Sequence, residues 1–247
     1  MREFGNNANA RLPVLFLLDA SSSMNGIIRG DNQHILRQEH SDGINWNIVT
    51  GDNIVTRMDE LNVGLQRFVS DILADPLAKL AADVAVITFA RTVATVKEFG
   101  PIRESDTGLK ISTSQENETL LGEAVELALA ELDNRKRTYR EHGVEYYQPW
   151  LVVMTDGIPT STRHRELEGR LKKLTANRKL SVFVFGIGRA DLSELCSISP
   201  GRPPMQINDQ KFPELFAWLS RSVRMVSMSV PGDGVSLTPL PEDVWQV

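Results

Sequence analysis

Five side chains that carry oxygen atoms stand where they could hold a metal ion together. Residues 15–24 read LFLLDASSSM, a short apolar run that ends in one carboxylate and three hydroxyls. The candidate ligands are Asp19, Ser21, Ser23, Thr119 and Asp156. None is His or Cys, and carboxylate and hydroxyl oxygens favour a hard cation over zinc or copper. We therefore expect Mg²⁺, with Mn²⁺ or Ca²⁺ as substitutes.

The spacing of the first three candidates supports a shared site. In an extended turn, residues two apart point to the same side, so Asp19, Ser21 and Ser23 can face one ion while Ser22 turns away. With only two carboxylates against a dication the metal stays electrophilic, and an outside carboxylate could take an open coordination position. The alternative for the serines is a turn that caps the next helix, which is a common role of serine.

Apolar strands alternate with amphipathic helices along the chain. Strands are predicted at 13–18, 83–90, 92–99, 150–155, 180–188 and 204–208, and helices at 54–74, 119–132, 162–176, 191–197 and 212–227. The second and third strands are so close that they must pair antiparallel. The pattern predicts an α/β fold with a doubly wound, mainly parallel six-stranded sheet, one antiparallel edge strand, and helices on both faces.

These elements bring the five candidates to one edge of the sheet. Ligands of such folds bind beyond the carboxyl ends of the strands. Asp19 ends the first strand, Asp156 follows the strand at 150–155, and Thr119 begins a helix on the same rim. The serines are therefore better explained as parts of a cation site than as a cap alone.

Two stretches depart from the alternation of strands and helices. Residues 25–50 form a polar, glycine-containing insertion, longer than the usual connection between a strand and its helix. We expect a long loop beside the site, in which Glu39, Asp42 or Asp52 could place a carboxylate on the metal. Residues 229–247 form a tail punctuated by Pro and Gly, so the predicted organisation is a single domain over 1–228 followed by this tail.

Composition limits the function classes. The 247 residues suit one large domain or two small ones, and the net charge of −5 argues against a nucleic-acid partner. Cys196 is the single cysteine, which excludes an intrachain disulfide and favours a reducing compartment. No apolar run is long enough to span a bilayer, and the first residues lack the order of a signal peptide. We expect a cytoplasmic protein without a membrane span.

Three motifs resemble those of von Willebrand factor A (VWA) domains. DASSS fits the D-x-S-x-S signature, Thr119 before LLGEAVELAL resembles the family's threonine, and VVMTDG resembles its aspartate loop. The resemblance covers about residues 11–228 in the family's order. It implies a metal-ion-dependent adhesion site, with Mg²⁺ bound directly by Ser21, Ser23 and Thr119 and directly or through water by Asp19 and Asp156. An Asp or Glu of a protein partner would fill the last position.

Within that family, the chain most resembles the bacterial tellurium-resistance TerY group. The similar segments are RLPVLFLLDASSSM, VITFA, LVVMTDGIPT and VSLTPLPEDVW. Members often lie in gene neighbourhoods with a protein kinase and a metal-dependent serine/threonine phosphatase, which implies a tellurite or stress-response role with such partners. One departure is Asn117-Glu118 where a glycine pair is usual, since Glu118 adds negative charge near the metal. The long insertion at residues 25–50 is a second departure from the family's pattern.

Two function classes remain. The first is a non-enzymatic, Mg²⁺-dependent protein-interaction module, and the second is a metal-dependent hydrolase or phosphotransferase on the same sheet. The sequence lacks the second aspartate of D-x-D phosphotransferases and any G-x-S-x-G elbow, and we expect no histidine near the rim to act as a base. Binding is therefore favoured over catalysis. The basic stretch at 163–179 could bind phosphate or nucleic acid, but is better explained as a solvated helix face.

Overall fold

The chain is built from eight strands and seven α-helices within the part that the computed structural model describes, residues 9–41, 44–116, 118–157, 159–188 and 190–244. The strands are β1 (Leu12–Asp19), β2 (Ile27–Ser41), β3 (Ile44–Thr56), β4 (Ala82–Phe89), β5 (Val93–Pro101), β6 (Trp150–Thr155), β7 (Ser181–Ile187) and β8 (Met205–Ile207). The helices are α1 (Arg57–Ala74), α2 (Pro76–Ala81), α3 (Leu121–Glu141), α4 (Arg163–Glu166), α5 (Glu168–Ala176), α6 (Leu192–Leu195) and α7 (Phe212–Ser227).

Six strands form the main sheet, in the order β5-β4-β1-β6-β7-β8. Strand β5 is antiparallel to β4 at one edge, and the other neighbours are parallel. All eight residues of β1 are buried, because this strand lies between β4 and β6 with helices on both faces. The predicted fold class is confirmed.

Alternate residues of β1 enter two separate cores. The ring of Phe16 packs against Phe68 of α1 and Phe216 of α7, with centroids 5.0 Å and 5.5 Å away. Leu15 and Leu17 face the other side and belong to a second cluster with helix α3. Strand β1 is thus clamped from both sides, which holds the residues after it in place.

Helix α3 is longer than predicted. The apolar stripe that predicts a helix over 119–132 is continued by Arg135 and Tyr139, both buried. Arg135 Nε donates to Asp83 Oδ2 of β4 at 2.8 Å, and the Tyr139 hydroxyl donates to the same oxygen at 2.5 Å. Polar side chains therefore extend the inward face by two turns, which a search for apolar residues misses.

Two other helices begin or divide differently from the prediction. Helix α1 starts at Arg57 rather than at 54, because Thr56 is its N-cap and accepts from Asp59 N at 3.2 Å. The helix predicted over 162–176 is divided at Leu167 into α4 and α5.

The insertion between β1 and α1 is a β-hairpin, so the expected long loop was wrong. Strands β2 and β3 pair antiparallel from Ile27 and Thr56 at the base to Ser41 and Ile44 at the tip. Ile35 and Leu36 are neighbours on β2 and are 59% and 66% exposed, which means that both faces of the ribbon meet solvent. A strand without a buried face has no alternating apolar pattern, which is why its sequence resembles a loop.

The described part of the tail packs against the domain. The indole of Trp218 in α7 donates to Thr238 O at 2.7 Å, and Asn208 N donates to Val244 O at 3.0 Å. Leu240 and Val244 are buried. The boundary at 228 between domain and tail stays a prediction.

Candidate metal centre

Asp19, the last residue of β1, is a completely buried carboxylate that is held by neutral donors. Its Oδ1 accepts from Ser21 N at 2.9 Å and its Oδ2 accepts from the Thr155 hydroxyl at 2.5 Å. No cationic side chain of the described residues forms an ion pair with it. Burial, and then the charge of Asp156, raise the pKa of Asp19 to about 6. A buried anion without a counterion is costly, and a bound cation would remove that cost.

A chain of hydrogen bonds joins the two serines to the second aspartate. Ser21 Oγ lies 2.9 Å from Ser23 Oγ, so the two hydroxyls share one side of the turn as their spacing predicts. Ser23 Oγ donates to Asp156 Oδ1 at 2.6 Å. The turn is closed by Met24 N and Gly26 N, which donate to the carbonyl oxygens of Ser21 and Ser23. The loop after β1 thereby reaches the loop after β6.

Thr119 reaches the same place from just before α3, which begins at Leu121 rather than at Thr119 as predicted. Its side chain is buried, and its backbone exchanges two hydrogen bonds with Thr160 in the loop after β6. A Cβ placed at Gly157 would lie 2.9 Å from Thr119 Oγ and 3.5 Å from Asp19 Oδ2. These two oxygens therefore flank one small space, which the glycine leaves open and any larger residue would fill.

The five predicted ligands thus converge at one edge of the sheet, and their chemistry fits a hard cation. Only two of them are carboxylates. Within the described ranges, no group of three or more His, Cys, Asp or Glu side chains is arranged to hold a metal. A metal at this edge would therefore depend on the hydroxyls of Ser21, Ser23 and Thr119.

Arg57 is a member of this site that the sequence analysis missed. Its Nη1 donates to Asp156 Oδ2 at 3.1 Å and to Ser23 O at 3.3 Å, while its Nε donates to Asp209 Oδ2 at 3.1 Å. The Asp156 side chain is 1% exposed and that of Arg57 is 22% exposed. Burial raises the pKa of Asp156, and the hydrogen bond from Ser23 and the charge of Arg57 oppose that rise.

Two glycines make room for the Arg57 guanidinium. A Cβ at Gly26 would lie 2.5 Å from Arg57 Nη1, and one at Gly188 would lie 2.8 Å from Nη2. Gly188 also has a φ of +59°, a conformation that favours glycine. No motif marks Arg57, because 34 residues separate it from Ser23. The paired ends of the hairpin bring it back, since Arg57 N donates to Gly26 O.

Thr155 is a second residue of the site that the sequence analysis missed. It is fully buried at the end of β6, and besides donating to Asp19 it accepts from Gly157 N at 3.2 Å. It fixes the Asp19 carboxylate from behind. Its position directly after the apolar run of β6 is the signal that could have found it.

Of the four further acidic candidates, the structure describes the side chains of Glu118 and Asp52, and neither lies with the five. Glu118 is exposed, and its Oε2 lies 3.9 Å from Arg91 Nε. Asp52 is exposed on the hairpin and accepts from Asn32 Nδ2 at 3.1 Å. Glu39 is opposite Trp46 in the outer part of the hairpin. Asp42 lies outside the described residues. None of the contacts of Glu118 and Asp52 within the described ranges reaches a predicted ligand.

One histidine, His164, lies near the rim. His164 is in α4, and its backbone N would be 2.5 Å from a Cβ placed at Gly122, in the first turn of α3. Its ring is buried, with Nδ1 2.8 Å from Ser161 O and Nε2 3.4 Å from a Glu194 oxygen. The ring thus packs between α4 and α6 and makes no described contact with the five candidates.

Comparison with known families identifies the fold. The model of the von Willebrand factor type A domain matches residues 49–217, which include Thr119 and Asp156 and begin after Ser23. The chain belongs to the VWA family. VWA domains are typically metal-dependent protein-interaction modules and are generally non-enzymatic.

Solved structures with a similar fold agree with this assignment at low sequence identity. The von Willebrand factor domain of the type V pilus tip protein Mfa5 from Porphyromonas gingivalis has a TM-score of 0.59 and 9% identity, over 91% of this chain and 99% of that one. BatB from Bacteroides thetaiotaomicron has a TM-score of 0.56 and 16% identity, over 88% and 100%. These likenesses show the fold alone.

A third structure with this fold holds a metal. It is proximal thread matrix protein 1 from the mussel byssus, described with a zinc-occupied metal-ion-dependent adhesion site motif. Its TM-score is 0.51 at 18% identity, and this VWA chain is covered to 90% but spans only 46% of the mussel chain. A search of curated protein sequences found no match. Within the described ranges, every helix is too short or too polar to cross a membrane.

Proposed function

We propose that this VWA domain binds Mg²⁺ between Asp19, Ser21, Ser23, Thr119 and Asp156 and uses it to capture a carboxylate of a partner protein. The observation that supports this most strongly is Asp19, whose fully buried carboxylate has only neutral donors around it. The bound ion would supply an electrophilic position for the partner's Asp or Glu.

The protein residues divide the work of holding that ion. The hydroxyls of Ser21, Ser23 and Thr119 would bind it directly, and Asp19 and Asp156 directly or through water. Thr155 orients Asp19, and Arg57 orients Asp156 by occupying one of its two oxygens. Such supporting hydrogen bonds fix ligand positions in metal sites generally.

Mg²⁺ is favoured over zinc because all five proposed ligands are hard oxygen donors. The zinc was found in the mussel protein and does not identify the metal of this chain. Titration of metal-free protein by calorimetry with Mg²⁺, Mn²⁺, Ca²⁺ and Zn²⁺ separates these ions. Zn²⁺ usually binds a given site more tightly than Mn²⁺ does. A preference for Zn²⁺ over Mn²⁺ that is larger than this usual difference would contradict the assignment.

The hairpin supplies a second contact area beside the metal. Its first strand begins at Ile27, directly after the turn that contains Ser23, so a partner that reaches the metal also meets the ribbon. Ile35 and Leu36 expose apolar surface eight and nine residues farther along this strand. The two side chains point to opposite faces of the ribbon, so each face offers one apolar contact to a partner.

Binding is supported over catalysis because no histidine of the described residues is seen to contact the five proposed ligands. Among the described residues, the one histidine near the rim is His164, whose buried ring contacts Ser161 and Glu194. A hydrolase or phosphotransferase needs a group that moves a proton at the reacting atom. Hydrolysis of generic phosphate esters that requires Mg²⁺ and is abolished by Asp19→Ala would contradict the proposal.

We also propose a tellurite or stress-response role, with a protein kinase and a serine/threonine phosphatase as partners. The support for this role is the resemblance of four segments to the TerY group. We propose a cytoplasmic location as well, because the chain has a single cysteine. The VWA fold by itself selects no compartment, since Mfa5 is a pilus tip protein.

A capture experiment tests the central proposal. Immobilised protein is incubated with lysate of its source cells in Mg²⁺ or EDTA, and the retained proteins are compared for wild type, Thr119→Ala and Asp156→Ala. Thr175→Ala is the control, because its hydroxyl donates to Leu171 O within α5. The same partner should be retained only in Mg²⁺ and only by wild type and the control. If the partner is retained equally in EDTA and by both site variants, the partner surface lies elsewhere.

A further inference from the structure

A cavity lies at the opposite end of the sheet from the candidate metal centre. It has a volume of about 830 Å³ and is lined by the end of α3, the starts of β6 and β7, and the tail around Gly232–Leu237. Trp150 and Ser181, the first residues of β6 and β7, line it, whereas Thr155 at the metal centre is the last residue of β6. A strand of this length spans about 17 Å, so the two sites are separate.

The lining of this cavity is strongly basic, although the chain as a whole carries a net charge of −5. Its cationic residues are Lys136, Arg137, Arg140, Arg178, Lys179 and Arg202. Asp133 and Asp233 are the carboxylates in the same lining. The excess of positive charge is confined to this lining, so it must be explained by what surrounds the cavity.

Most of this positive charge is not neutralised by the protein. Lys136 is paired with Asp133 at 2.7 Å. Within the described part of the chain, the side chains of Arg140, Arg178, Lys179 and Arg202 make no hydrogen bond or ion pair. Several arginines elsewhere are paired with carboxylates, as Arg57 is with Asp156.

Helix dipoles explain only part of this cluster. Helices α3 and α5 end at this side of the sheet, and cations near helix C-termini are favoured. That accounts for Arg140 in the last turn of α3 and for Arg178 just after α5. It does not account for Arg202, which belongs to neither helix and places its guanidinium 4.4 Å from the centre of the Phe183 ring.

The backbone at Arg178 also departs from the usual end of a helix. Its φ is +53°, a conformation in which glycine is the usual residue after a helix. Arg178 N donates to Thr175 O and Lys179 N donates to Leu174 O, which closes α5 at this point. The chain therefore has an arginine at the edge of the cavity where glycine would be the unstrained choice.

We propose that this cavity binds a small molecule that carries two or more phosphate groups. Guanidinium groups bind phosphate through two parallel hydrogen bonds, and several clustered phosphates match several cations that have no protein partner. The volume falls within the range of small-molecule pockets. Arg178 and Arg202 are the principal contacts, with Arg140 and Lys179 beside them, and the tail closes one side.

Calorimetric titration with tripolyphosphate and with ATP tests this site. EDTA is present throughout, so that neither ligand is recruited by a metal at Asp19. Wild type is compared with the double variant Arg178→Gln/Arg202→Gln and with Arg221→Gln, which removes an exposed arginine of α7 outside the cavity lining. The double variant should bind at least about tenfold more weakly, and Arg221→Gln should bind as wild type does. Melting curves check that each variant is folded.

The two ligands distinguish the sources of the phosphates. Equal affinities for tripolyphosphate and ATP mean that the phosphate chain is recognised by itself, and preference for ATP means that a nucleoside adds contacts. If the double variant does not fold, Arg140→Gln/Lys179→Gln changes two exposed side chains and should weaken binding in the same way. The proposal is overturned if neither ligand binds at about 10 mM. It is also overturned if citrate or double-stranded DNA binds as tightly, or if folded variants match the control.

Discussion

Arg57 Nη1 lies 3.1 Å from Asp156 Oδ2, so the first residue of α1 places a positive charge against one of the two carboxylates of the candidate metal centre. The other oxygen of Asp156 accepts from Ser23. The carboxylate is thereby oriented before any metal binds. The same guanidinium also lowers the negative charge that a dication would meet at this rim.

Arg57→Met should destabilise the metal-free protein and enlarge its response to Mg²⁺. Removing the partner of an almost fully buried carboxylate costs about 2–4 kcal/mol, and a bound dication would then supply the missing positive charge. Melting temperatures in EDTA and in Mg²⁺ measure both effects. Arg163→Met, which breaks an exposed ion pair with Glu126, is the control. An equal Mg²⁺ shift in Arg57→Met and wild type would show that Arg57 and the metal are independent.

Asp19→Asn should abolish the Mg²⁺-induced rise in melting temperature while making the metal-free protein more stable at pH 8. The pKa of Asp19 is raised to about 6, so at pH 8 the folded protein holds a buried charge that the unfolded chain exposes to water. Neutral asparagine avoids this, with an expected gain of roughly 1–3 kcal/mol. Chemical denaturation in EDTA measures the gain. A metal-free variant that is less stable than wild type would mean that the Asp19 hydrogen bonds outweigh its burial.

Gly157→Ala should weaken Mg²⁺ binding. The added Cβ would lie 2.9 Å from Thr119 Oγ, so either the threonine or the loop after β6 must move. We expect affinity to fall about tenfold and the free energy of unfolding to fall by about 1–3 kcal/mol. Gly169→Ala in α5 is the matched control, because nothing lies within 4 Å of its Cβ. Unchanged affinity in Gly157→Ala would argue that the metal does not use the space beside Thr119.

Ile35→Ser/Leu36→Ser should weaken partner capture without affecting the fold. Both side chains are more than half exposed on the hairpin, and surface substitutions of this kind change stability by about 0.5 kcal/mol or less. Capture in Mg²⁺ should fall about tenfold or more, while calorimetry shows unchanged Mg²⁺ affinity. Leu77→Ser on α2 removes a leucine that is 47% exposed and serves as the control. Capture at the wild-type level would exclude this part of the hairpin from the interface.

The sheet and the meeting of the proposed ligands could be predicted because both depend on local pattern. Residues of β1 are apolar on both faces, and the two-residue spacing of Ser21 and Ser23 places their hydroxyls side by side. Arg57 could not be predicted, because its place at the site depends on how a long insertion closes. That insertion was itself mistaken for a loop, since a ribbon exposed on both faces carries no periodic apolar signal.

The closure of the hairpin has a consequence for how this domain can change. Ile27 pairs with Thr56, and Gly26 O accepts from Arg57 N, so the ribbon leaves and rejoins the domain at adjoining residues. Its length and side chains can vary without altering the distance between Ser23 and Arg57. Substitutions in the ribbon can therefore leave the geometry of the rim unchanged, so the surface that the hairpin offers to a partner can vary separately from the proposed metal site.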